Sequence, residues 1–318
     1  MRDRLLDAEV LRAHGAGDSL PSRLAALYRQ QLAEWPLLEE GSRALAAMRR
    51  KELQAAGQSI HVQYNPARIV SSSADIAPEA LKARPCFLCE QALPPEQRAI
   101  AVSGGLIALC NPRPIFRPHF TIAERAHTEQ SMSGREAEFV ALSHELGPDL
   151  ALFFNGAKAG ASAPDHFHYQ AAPAADLPLA AEAAPDGEVA IVRRYGGAAL
   201  LLRGRDEGRV AKRLASLLSA IRGLMPAGGD YLNLIGWCSD EHRILVVPRC
   251  AHRPACYNAP EDERFVISPA AVEVGGVLVA ARETDYERLA PPVITEIFKE
   301  VLVPESVAAE IAARAAHE

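Results

Sequence analysis

The chain has 318 residues, with 49% hydrophobic and 23% charged side chains and a net charge of −6. That is enough chain for about two domains around cores of ordinary size. The acidic balance offers no basic excess to neutralise a nucleic-acid backbone, so general nucleic-acid binding is excluded as an expectation. A small phosphorylated substrate is not excluded, because a few placed cationic and N–H groups suffice for it.

The first residues, Met1-Arg2-Asp3-Arg4-Leu5-Leu6-Asp7, carry acids and lack the apolar stretch of a signal peptide. No run of eighteen apolar residues occurs, so no membrane span is expected, and the reading is a cytoplasmic protein. In that compartment the six cysteines stay reduced, and a close cysteine pair points to metal binding or redox chemistry.

Residues 1–58 read as a helical segment, with apolar residues at helical spacing through Leu24, Leu27 and Tyr28 and again through Leu45, Met48 and Leu53. The pattern predicts a packing appendage without chemistry. From His61 to Val70 it changes to a strand interrupted by a turn at Asn65-Pro66. Short apolar runs follow at 99–109 and 119–123, a helix at about 133–146, and a strand at Leu150-Ala151-Leu152-Phe153-Phe154. A loop of small residues, 155–162, then leads to His166.

The Ala/Pro-rich stretch from Ala172 to Pro185 reads as a linker. Beyond it the order restarts: strands at 188–194 and 198–203, a helix at 207–224, and strands at 231–237 and 243–247. An apolar, glycine-containing run at 274–280 and two helical segments close the chain. The expected domains are a helical segment at 1–58, a first lobe at 59–180 and a second at 186–318.

Three motifs carry chemistry. His166-Phe167-His168-Tyr169-Gln170 places three polar groups on one face if the segment is a strand, with Phe167 and Tyr169 on the other. Such an alignment beside a Gly/Ser-containing loop suits a site better than it suits packing. Cys86-Phe87-Leu88-Cys89 follows Pro85, begins no long helix and is soon followed by Pro94-Pro95. A redox pair would sit at a helix start. With His119 and His127 downstream, a closed Cys₂His₂ structural zinc site is the expected use. Zinc there would pin the Cys86 loop to the strand carrying His166.

At these residues the sequence resembles the histidine-triad superfamily. The branch is that of galactose-1-phosphate uridylyltransferase, diadenosine tetraphosphate phosphorylase and the GDP-hexose phosphorylases. His61–Ser72, with Asn65-Pro66 and Arg68, resembles the first substrate-binding strand and loop. Arg84–Cys89 resembles the zinc half-site, and Asn111-Pro112-Arg113-Pro114-Ile115 through His127 the hairpin. Phe154-Asn155 through Gln170 resembles the phosphate loop and H-x-H-x-Q strand. Tyr231–Leu234, Ile244–Arg249 and Gly275–Val279 resemble the second lobe of the phosphorylases.

The resemblance covers about residues 60–300 and implies an α+β fold: two lobes with antiparallel sheets flanked by helices, and chemistry in the first. It makes His168 the nucleophile and His166 a zinc ligand. The remaining zinc histidine is His127, with His119 the rival.

The implied function is transfer of a nucleoside monophosphate from a dinucleoside polyphosphate or nucleotide sugar to phosphate, or to a phosphorylated acceptor, through a nucleotidyl-histidine. A neutral imidazole is a good nucleophile near pH 7. Backbone N–H groups of the 155–162 loop would steady the phosphoryl oxygens. Gln170 stands where the hydrolase branch has a third histidine and carries no proton near neutrality. It fits transfer better than hydrolysis.

Substrate contacts are expected from Asn65, Arg68, Asn155, Lys158, Gly160 and Ser162, and from Arg249, His252 and Arg253 of the second lobe. Asp165, directly before the motif, argues against galactose-1-phosphate as acceptor. A histidine-triad hydrolase and a non-catalytic, zinc-stabilised nucleotide-binding module are the two rival readings. Proteins of this branch often form dimers, so a homodimer is the assembly on offer. Nucleobase, sugar and acceptor stay open.

Overall fold

The computed structural model describes residues 4–73, 77–182, 184–226 and 229–317. Twelve strands form two sheets among them. In chain order they are β1 (Arg50–Ala55), β2 (Gln58–Tyr64), β3 (Ala99–Ala101), β4 (Leu106–Cys110), β5 (Phe120–Glu124) and β6 (Leu150–Asn155). Then come β7 (His168–Pro173), β8 (Val189–Arg194), β9 (Gly197–Gly204), β10 (Leu232–Cys238), β11 (His242–Pro248) and β12 (Val277–Ala280).

The larger sheet has nine strands in the order β3-β4-β5-β7-β6-β10-β11-β9-β8, each neighbouring pair antiparallel. The two halves of the chain thus meet edge to edge. β6 pairs with β10, setting Asn155 opposite Asn233. The 172–185 stretch expected as a linker begins inside β7 and continues through short helical turns.

The apolar runs at β4, β6 and β10 are buried at every position, because both faces of the sheet are covered. On one face Leu152, Phe154, Leu234 and Val246 pack against the Glu136–Leu146 and Glu207–Leu224 helices. On the other, Ala151, Phe153, Ile235 and Val247 pack against the small sheet and the Pro291–Val301 helix.

The N-terminal segment is helical only to Ala47. Ser19 caps the Leu20–Glu34 helix by accepting from the Ser22 N–H, with a proline in its first turn. Residues 50–55, including Leu53, are a strand. β1 pairs antiparallel with β2, and β2 pairs parallel with β12. An apolar residue every third or fourth position had suggested a longer helix. Pairing with β2 through a turn at Ala56-Gly57, both at positive φ, overrides that local pattern.

The segment also contacts the chain on either side of β3 and β4. Gln31 donates to the Glu96 carbonyl and accepts from the Arg98 N–H. Gly41 lies so close to the Pro112 carbonyl that a Cβ there would be 2.1 Å from the oxygen.

Candidate functional site

β7 sits between β5 and β6, and its alternation sorts its side chains. Phe167, just before the strand, Tyr169 and Ala171 pack in the first core beside Phe139 and Phe154. His168 and Gln170 face the other side and line a cavity of about 520 Å³, a size that suits a nucleotide-sized ligand. Asn155, Gly160, Ser162 and Arg68 line it too, as do Arg113, Glu273 and Leu37. The helical segment at the N-terminus therefore contributes to the wall. His166 falls before β7, which begins at His168, and does not line the cavity.

The protonation pattern of His168 and of His119 behind Gln170 follows from their partners. His168 Nδ1 lies 2.9 Å from the His166 carbonyl, which can only accept. Nδ1 thus carries the hydrogen and Nε2 the lone pair. His168 is 5% exposed, and burial pushes its pKa down to about 4, so the ring is neutral at pH 7.

His119 accepts from the Ile115 N–H at Nδ1, and burial lowers its pKa to about 3. The hydrogen must be on Nε2, which donates to Gln170 Oε1 at 2.9 Å. With its oxygen engaged, Gln170 is oriented to offer its amide N–H₂ as donor.

Gln130 carries no motif, and it holds the start of the His168 strand in place. It is 1% exposed. Its Oε1 accepts from the His168 N–H, and its Nε2 donates to the His168 and Asn155 carbonyls. No sequence signal separates it from other polar loop residues.

The loop 155–162 is braced from the second half. The Asn233 amide donates to Asn155 Oδ1 and to the Ala159 carbonyl. Arg249 in turn donates to Asn233 Oδ1 and to the carbonyls of Val301, Pro269, Ala251 and His252. Its guanidinium is fully buried with all three nitrogens occupied. Arg249 positions the loop and does not reach the cavity.

His252 is also outside it; its Nδ1 accepts from the Gly160 N–H, and its pKa is pushed down to about 3 by burial, then by Arg253. Arg253 stacks over Tyr257 at 4.1 Å. Lys158 is exposed and does not line the cavity. Asn65 is buried and donates to the Pro114 carbonyl, holding the Asn111–Ile115 segment. Of the nine expected substrate contacts, then, Arg68, Asn155, Gly160 and Ser162 line the cavity.

The loop's own donors are more committed than expected. The N–H groups of Gly156, Lys158 and Ala159 donate to the carbonyls of Leu232, Asp230 and Gly156, and that of Gly160 to His252. Counter-charge in the cavity comes from Arg68 and Arg113. Arg68 donates to the Arg113 carbonyl, and burial lowers its pKa. Glu273, buried and with its pKa raised by burial, accepts from the Ala270 N–H and faces the same space.

Beside the cavity, Cys86, Cys89, His127 and His166 bring one donor atom each within 4.8 Å of the others. His166 Nε2 donates to the Glu124 carbonyl at 2.8 Å. That leaves the Nδ1 lone pair 3.3 Å from Cys86 Sγ and 3.6 Å from Cys89 Sγ. His127 Nδ1 is 3.3 Å from Cys89 Sγ. His119 is not in the group. Burial works to raise the Cys86 thiol, but the hydrogen bond and charge of His166 outweigh it and bring it to about 7. Asp165 pairs with Arg84 at 3.1 Å, tying the residue before His166 to the cysteine loop.

The two halves of the chain thus share one nine-stranded sheet, with the cavity on one face and the cysteine–histidine cluster beside it. Residues 27–173 match a domain of unknown function, DUF4922. No curated protein matches the sequence.

Among solved structures, the chain is similar to yeast Ap4A phosphorylase Apa2, at 14% identity and a TM-score of 0.60, over 87% of this chain and 97% of that one. The same enzyme in complex with Ap4A matches with a TM-score of 0.57 at 14% identity over the same shares. Its complex with AMP matches with 0.52 at 16% identity, over 84% and 97%. The chain thus shares its overall fold with that structure. Among the described residues, no helix is long and apolar enough to cross a membrane.

Proposed function

We propose that the chain is a phosphorylase-type nucleotidyltransferase that moves a nucleoside monophosphate from a dinucleoside polyphosphate or a nucleotide sugar to phosphate or a phosphorylated acceptor. The observation that carries this reading is His168: a neutral ring in a ligand-sized cavity, its Nδ1 hydrogen engaged by the His166 carbonyl and Nε2 left as the nucleophile. The likeness to a phosphorylase seen with Ap4A and AMP supports it.

In the first step Nε2 attacks the α-phosphorus. An N–P bond forms, the P–O bond to the departing polyphosphate or sugar phosphate breaks, and that group leaves with the electron pair. In the second step a phosphate oxygen attacks the same phosphorus, the P–N bond breaks, and the neutral imidazole returns. Dividing the transfer in this way replaces one difficult displacement by two easier ones.

The Gln170 amide, held by His119, donates to a non-bridging oxygen in both steps. Arg68 and Arg113 balance the phosphate charge, and Ser162 with the main chain just after Gly160 supplies further donors. Glu273, also lining the cavity, suits a sugar hydroxyl or base N–H.

Cys86, Cys89, His127 and His166 fit zinc in donor type and spacing. Held there, the ion would be structural, joining the Cys86 loop to the start of β7; His166 both ligates it and positions His168 through its carbonyl.

The test is incubation of the protein with α-labelled Ap4A and with GDP-, ADP- and UDP-hexoses, with and without phosphate, followed by isolation of the protein. An acid-labile, base-stable label on wild type that is absent from His168→Ala, and discharged by phosphate, is expected. No label with any donor, or equal turnover by His168→Ala, would refute the mechanism. Turnover independent of phosphate would favour the hydrolase reading.

A further inference from the structure

A second group of soft ligands lies apart from the cavity and the first cysteine–histidine cluster. His144 is in the last turn of the Glu136–Leu146 helix and exposed. Cys238 ends β10, His242 begins β11, and the two are cross-strand partners. They are only 5% and 3% exposed. One donor atom from each of the three lies within 4.8 Å of the others.

His144 Nδ1 is 3.3 Å from Cys238 Sγ, and the two imidazole centroids are 5.3 Å apart. A thiol–imidazole hydrogen bond would account for His144 and Cys238. It leaves His242 unexplained, because its Nδ1 is buried with no hydrogen-bond partner among the described residues. An unpartnered imidazole nitrogen held away from water beside a thiol and a second imidazole is unusual in a packed interior. Two carboxylates lie near enough to act on the trio, Glu207 on both Cys238 and His242 and Asp240 on Cys238, although burial is the larger influence on each.

We propose that His144, Cys238 and His242 form a second metal site, which takes a zinc-class divalent cation through one thiolate and two imidazoles. Three protein ligands leave a fourth position of a tetrahedral ion for water or an exogenous donor. The absence of oxygen ligands in the trio disfavours magnesium and calcium. On binding, the Cys238 thiol gives up its proton to solvent and the two imidazoles bind neutral. The ion clasps the C-terminal turn of a first-lobe helix to the β10–β11 hairpin of the second lobe. This site is independent of nucleotidyl transfer and of the cluster at Cys86.

The test uses the full chain, stripped by chelator and dialysed. It is titrated with Zn²⁺ for stoichiometry and with Co²⁺ for the thiolate-to-metal absorption band. His144→Ala and Cys238→Ser are each expected to bind one ion fewer per chain than wild type, or to hold that ion at least tenfold more weakly. Cys238→Ser should also lose part of the cobalt band. His144 is on the surface, so its variant folds even if the buried Cys238→Ser does not. Wild-type stoichiometry, affinity and spectrum in a folded His144→Ala would overturn the proposal, as would failure of wild type to bind any ion.

Discussion

Gln130 offers the sharpest test of how His168 is held. Its side chain makes three hydrogen bonds, two to the main chain of His168 and one to that of Asn155, in a position almost closed to water. Gln130→Met keeps the length and removes all three. At about 1 kcal/mol net per bond the direct loss is about 3 kcal/mol, and more if the stranded backbone groups stay dry. For a chain of this size that is a fall in Tm of about 4–5 °C.

Gln130→Glu separates hydrogen bonding from shape. A carboxylate would still accept from the His168 N–H, but its other oxygen would face the two carbonyls that now accept from Nε2. The folded-state pKa of that carboxyl is therefore raised above its unfolded value. Relative to wild type, the variant is best below about pH 4.3 and loses stability as pH rises through the folded pKa.

Urea unfolding at a series of pH values reads this directly, and steady-state kinetics reads the consequence. If His168 is the nucleophile proposed above, displacing it by about 1 Å costs on the order of 10²-fold in kcat, with KM less affected. Equal stabilities of the Met and Glu variants at pH 7, or either within about 0.5 kcal/mol of wild type, would refute this account of the Gln130 bridge.

Other perturbations follow from the same geometry. His119 and His168 are buried neutral with pKa values of about 3 and about 4, below that of an unfolded histidine. The unfolded chain takes up these protons first as pH falls below about 6.5, so stability is full above that value and declines towards pH 4, by at most about 1.4 kcal/mol per pH unit for each ring. Denaturation across that range checks the slope, and His119→Phe should flatten it.

Gly160 has φ +91, and a Cβ there would lie 2.7 Å from Ala270 Cβ. Gly160→Ala is expected to cost about 1–3 kcal/mol in thermal unfolding and to lower kcat/KM by shifting the phosphate loop. Arg249→Lys cannot reach the acceptors served by three guanidinium nitrogens. It should destabilise by about 3–6 kcal/mol and raise KM, although the residue touches no substrate; unchanged stability would contradict its bracing role.

Much of this protein is written locally. The strands from β4 to β11 and the two long helices beside them lie where apolar runs and helical periodicity place them, because each element needs only its own face buried. His168 and Gln170 stood out because alternation puts them opposite Phe167 and Tyr169. The cysteine pair was legible from spacing and donor type.

Tertiary structure decided the rest. Between His119 and His127, it is the return of β5 beside β7 that sends His119 to Gln170 and leaves His127 with the cysteines. Residues 50–55 became a strand only because β2 was there to pair with them. Arg249 read as a phosphate ligand by its chemistry; complete burial among carbonyls made it a brace. Gln130 and Asn233 carried no local signal, since a hydrogen bond between residues scores apart in the chain exists only once the sheet has brought them together. A pattern along the chain reports which face a side chain takes, whereas its partner is set by strands that arrive from elsewhere.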